Sequence, residues 1–90
     1  MPQAIITPED VKRFSSDLQR FNSTLKSDYS RIHSKLKQLG QTWRDQEHKK
    51  FEKEFDQTAK AIKQFLSSSE KYVPFLQRKA KAADDYLKQR

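Results

Sequence analysis

The sequence predicts an all-α protein: two long antiparallel helices folded about one turn. Three observations carry this. Apolar residues recur every seven positions over most of the chain, the single glycine lies between two such runs, and only three prolines interrupt 90 residues. With 33% apolar and 34% charged residues, a thin rod that exposes much surface per buried residue fits better than a compact globule. The length allows one domain, 1–90.

Helix 1 is expected over 8–39. Thr7 can cap it with its hydroxyl, Pro8 suits a first turn where its missing N–H costs nothing, and Glu9 and Asp10 favour the positive helix end. Val11, Leu18, Leu25, Ile32 and Leu39 form its stripe, joined first by Phe14 and Phe21 and then by Tyr29 and Leu36. The companion row shifts near Leu25, since Asp28 and Lys35 take its next places, which favours nearly straight packing.

Gly40 follows the last stripe residue, where a left-handed backbone commonly ends a helix, and the turn is assigned to 40–42. Thr42 can cap a second helix over 43–88, with Asp45 three residues on. So short a connection makes the helices antiparallel. Trp43 is placed to fold over Leu36 and Leu39 and seal the closed end.

Helix 2 carries Phe51, Phe55, Ala59, Ile62, Leu66, Val73, Leu76, Ala80, Ala83 and Leu87 on one face. Pro74 removes a helical hydrogen bond, and Ser67, Ser68 and Ser69 lower the propensity ahead of it. The apolar spacing continues through it without a register change, which predicts a kink near Pro74; a break before a third helical piece is the alternative. Phe65, Tyr72 and Tyr86 form a further row, and Phe75 widens it. One hairpin is too narrow to bury this width, so pairing of two hairpins into a four-helix bundle is expected, through Phe65, Leu66, Tyr72, Val73, Phe75, Leu76 and Tyr86. The partner is a second copy or a similar hairpin; a third helix folding back would cover the same face.

Trp43, then Asp45, then Phe51 eight residues after the tryptophan and Phe55 four later, resembles the WXG100 family, the ESAT-6-like helical hairpins. The resemblance covers almost the whole chain. It implies a two-helix hairpin that pairs as an antiparallel homodimer or heterodimer, and an adaptor or effector of type VII secretion. Gly40, Trp43, Asp45, Phe51 and Phe55 are then the turn motif, with Asp45 and Glu47 replacing the glycine and small residue common in members. The family's export signal, a tyrosine followed four residues later by an acid, is replaced here by Tyr86 and Arg90.

Enzymatic chemistry is not expected, and neither cofactor nor metal. His33 and His48 fall at comparable heights on the two arms, but a metal needs three or four converging ligands and a nucleophile needs a shielded pocket. His33, next to Ile32, is expected to face solvent. No cysteine is present for disulfide or thiolate chemistry. The N-terminal Ala4, Ile5 and Ile6 lack a basic flank, and no run approaches the roughly 20 apolar residues of a membrane span, so the expected location is cytoplasmic or reached by export without a cleavable signal.

The net charge of +7 suits an acidic partner, a nucleic acid or an anionic membrane. Nucleic acid is the alternative function, carried by Lys49, Lys50, Lys53, Lys60, Lys63, Lys71, Arg78, Lys79, Lys81, Lys88 and Arg90. Against it, the aromatics belong to the apolar faces and no helix-turn-helix or zinc module is present.

Overall fold

The computed structural model describes residues 6–88; Ala4, Ile5 and Arg90 lie outside them. Helix α1 runs Pro8–Leu39 and helix α2 runs Gln46–Lys88. They form an antiparallel hairpin 67 Å long and 14 Å thick, close to the roughly 64 Å expected of a 43-residue helix at 1.5 Å per residue. This is the hairpin that the apolar period predicts. No helix among the described residues is long and apolar enough to cross a membrane.

Thr7 is extended (φ −94°, ψ 109°), but its hydroxyl makes no capping bond. Its carbonyl instead accepts the N–H groups of Asp10 and Val11, and the fixed φ of Pro8 together with Glu9 and Asp10 completes the start. Arg13 pairs with Asp10, three residues before it.

The seam between the helices differs from the expected stripe. On α1 its centre is the row Pro8, Ser15, Asn22 and Leu36, all buried, with Tyr29 half-buried between them. Val11, Leu18 and Leu25 are half-buried beside this row, while Ile32 and Leu39 are 48% and 45% exposed. The apolar stripe of α1 therefore flanks the seam on one side. On α2 the buried positions are His48, Ala59, Leu66, Ser69, Val73 and Ala80, with Phe55, Ile62, Leu76 and Ala83 half-buried. Phe51 and Leu87 lie outside, 50% and 47% exposed.

Small polar groups cross the middle of the seam. Ser69 donates its hydroxyl proton to Asn22 Oδ1 at 2.8 Å, and Ser15 donates to the Val73 carbonyl at 3.4 Å. Asn22 Nδ2 is buried without a hydrogen-bond partner, a group of a kind whose desolvation costs about 1–3 kcal/mol. A pairing of this kind penalises axial slippage, because a shifted register would bury more polar groups without partners. Lys12 and Asp84, 3.9 Å apart, join the helices near the open end.

Helix α2 passes through Pro74 in one piece. Pro74 has no N–H for the Glu70 carbonyl four residues back, and it lies on the exposed side, where its ring displaces no seam residue. Pro74→Ala restores that donor and should raise stability by about 1–3 kcal/mol, read as a higher urea midpoint. An unchanged or lower midpoint would mean that the ring contributes packing of its own.

Candidate interaction surface

At the closed end, α1 unwinds through right-handed turns. Gly40 donates to the Leu36 and Lys37 carbonyls, Gln41 to Gln38, and Thr42 and Trp43 both to Leu39. Gly40 has φ −62° and ψ −15°, so the expected left-handed conformation is absent. The reason for glycine here is space. A methyl group on Gly40 would stand 3.0 Å from His48 Cε1 and 3.3 Å from the Lys37 carbonyl oxygen.

His48 is the side chain that seals this end. It is 4% exposed, its Nε2 lies 3.5 Å from the Leu36 carbonyl oxygen, and its Nδ1 lies 3.5 Å from Glu52 Oε1. Trp43, expected to be the plug over Leu36 and Leu39, is half-buried and sets its indole edgewise against His48, with ring centroids 4.9 Å apart. The histidine fills the interior and the tryptophan covers it from outside.

Thr42 does not cap α2. Its hydroxyl donates back to the Leu39 carbonyl at 3.3 Å, closing α1. The cap is Asp45, whose Oδ1 accepts the His48 N–H at 3.0 Å, so α2 starts at Gln46, three residues later than its expected start at 43. That N–H first, and the Trp43 side chain second, hold the Asp45 carboxyl below the usual carboxylate range.

The other turn-motif aromatics separate. Phe55 stacks on Tyr29 and on His33, at 5.9 Å in both cases, while Phe51 is exposed. His33, expected in solvent, is half-buried in this stack with Asp56 3.8 Å from its Nε2. The two histidines thus occupy different levels. No group of three or more metal-ligating side chains occurs among the described residues.

Toward the open end, one flank of the hairpin carries its large apolar side chains. Phe14, Leu18, Phe65, Ser68, Ser69, Tyr72 and Leu76 line an apolar groove of about 300 Å³. Phe21 meets Phe65 edge to face across the two helices at 6.1 Å. Phe14, Phe21, Phe65 and Tyr72 remain 57%, 52%, 45% and 58% exposed. Of the residues expected to form an interface, Leu66 and Val73 are instead buried in the seam, Leu76 is half-buried at its edge, and Phe75 and Tyr86 are exposed. Phe14, Leu18 and Phe21 complete the flank from α1, a contribution that a reading centred on α2 omitted. Their signal was present: they are spaced four and three residues apart, beside the row that holds Ser15 and Asn22. The opposite flank is more polar: Gln19, Asn22, Ser23, Lys26 and Glu70, with Val73 and Pro74, line a cleft of about 330 Å³ there.

Comparison with known proteins agrees with this geometry. The model of the WXG100 family, "Proteins of 100 residues with WXG", matches residues 3–85. The secreted protein EsxB of Bacillus anthracis str. Sterne is similar in structure: its wild-type form has a TM-score of 0.73 at 26% identity, covering 91% of this chain and 94% of that one. A glycine-to-alanine variant of EsxB has a TM-score of 0.75 at 25% identity, covering 93% and 97%. No curated protein matches the sequence.

Two outcomes test the closed end. Gly40→Ala should destabilise by about 1–3 kcal/mol through the His48 clash, although alanine at a helical φ would otherwise stabilise, and Gly40→Ala/His48→Ala should recover part of that loss. A stabilised Gly40→Ala protein would show that the ring moves aside freely. For Asp45, a folded pKa below the ordinary 3.8 means stability present above that value and lost as the pH falls below it. The melting-temperature gap between wild type and Asp45→Ala should therefore be full near neutral pH and narrow toward about pH 3. A gap independent of pH would assign the effect to something other than the ionised cap.

Proposed function

The chain belongs to the WXG100 family, and on that footing we propose that it is a non-enzymatic adaptor that works by helix-on-helix association and is exported by a type VII route. The exposed flank carries the assembly reading. Phe14, Phe21, Phe65 and Tyr72 present aromatic surface from both helices around an apolar groove, and patches of this kind mark association sites on soluble chains. Stacking two such flanks makes a four-helix arrangement whose core is built from aromatics, while each chain's polar flank stays in water.

The similarity to EsxB, described as a secreted protein, supports the export reading. A hairpin 14 Å thick also offers a slender cargo. Tyr86 is followed four residues later by Arg90 rather than an acid, so this pair does not reproduce the family's tyrosine-to-acid signal.

The assembly is tested by the mass of the purified chain in light scattering. Wild type should be an oligomer at about 0.5 M salt, where charge repulsion is screened, while Phe65→Glu and Phe14→Glu should halve the mass of a dimer and leave far-UV circular dichroism helical. A wild-type monomer, or a mass unchanged in both variants, would overturn this reading.

A further inference from the structure

Most cations on the open half of the hairpin already have acids beside them. Lys12 and Lys88 share Asp84, Arg13 pairs with Asp10, Arg20 with Asp17 and Lys81 with Asp85. Lys71, Arg78 and Lys79 differ. All three are exposed, and none forms an ion pair among the described residues. They surround two exposed aromatics, Tyr72 and Phe75, and Lys71, Tyr72, Phe75 and Arg78 line, with Ser68, a shallow depression of about 380 Å³.

The spacing 71, 72, 75, 78, 79 places these five side chains on one face over about 12 Å of helix. Tyr72 also lines the apolar groove, so the strip continues the helix-packing flank and edges it with unneutralised positive charge. A second copy would bring another +7 and the same cationic strip, and like charges at an interface rim disfavour pairing. An amphipathic helix with an apolar row edged by carboxylates would fill the groove and neutralise the rim together. Three cations over two turns are few for a nucleic-acid surface, which usually engages more phosphates.

We propose that Lys71, Arg78 and Lys79, set around Tyr72 and Phe75, select an acidic amphipathic helix of a partner protein over a second copy of this chain. The inference rests on the assembly reading above and names the partner's chemistry.

Two synthetic peptides of residues 61–88 serve as probes. One has native charges, and the other has glutamate at every lysine and arginine. Each is labelled and titrated with the full chain, held below its self-association concentration. At about 0.05 M salt the glutamate peptide should bind about tenfold tighter, and the preference should shrink at about 0.5 M. Lys71→Glu/Arg78→Glu/Lys79→Glu in the full chain should abolish or reverse the preference while the chain remains helical.

Equal affinity for the two peptides, no binding of either, or a preference that survives the triple change would overturn the proposal. So would displacement of the glutamate peptide by a DNA duplex that binds wild type but not the triple variant, since the strip would then be a phosphate site. The masses of wild type and Phe65→Glu, measured alongside, separate the two readings. An oligomer broken by Phe65→Glu keeps the assembly reading whatever the peptides do.

Discussion

The close seam between the two helices governs the rest of this molecule. Ser15, Asn22, Ser69, Ala59 and Ala80 are all buried there, and small side chains let helix axes approach closely. Leu66 and Val73 still fit between the helices, while the larger aromatic side chains of the open half emerge beside them. Phe14, Phe21, Phe65 and Tyr72 do so on one flank, while Gln19, Ser23 and Lys26 line the other. The two-faced character of the hairpin follows from that division, as does its need for a further surface to cover the aromatics.

The closed end obeys the same rule of scarce space. Gly40 has an ordinary helical conformation, yet its missing Cβ admits the His48 ring against the last turn of α1. Asp45 then fixes where α2 begins by accepting the His48 N–H, so one residue is both the capped donor and the buried plug. In a family whose motif has glycine at the place of Asp45, the aspartate supplies a cap that glycine, lacking a side-chain acceptor, cannot. The turn is preserved by a different local device.

Charge is distributed as unevenly as apolar surface. Along the helices Asp10, Asp17, Asp28, Asp84 and Asp85 each pair with a base three or four residues away at the surface, contacts that contribute little to stability but neutralise the surface locally. What remains unneutralised at the aromatic flank, Lys71, Arg78 and Lys79, bears on the choice of partner more than on the fold, since rim charges act mainly on specificity and encounter.

Much of the architecture could be read from the sequence: two helices, a single turn at Gly40, a second helix that does not break at Pro74 and the likeness to a family of helical hairpins all follow from seven-residue spacing and a few turn residues. Such spacing gives the angular order of rows around a helix. It does not say which row faces the neighbouring helix when the apolar band is wider than one neighbour can cover. Only the tertiary structure decided that Ser15 and Asn22 lie inside while Phe14 and Phe21 lie outside, that Leu66 and Val73 belong to the seam rather than to the outer apolar face, and that His48 rather than Trp43 fills the closed end. Those choices depend on how closely two helices approach, a distance between residues far apart in the chain.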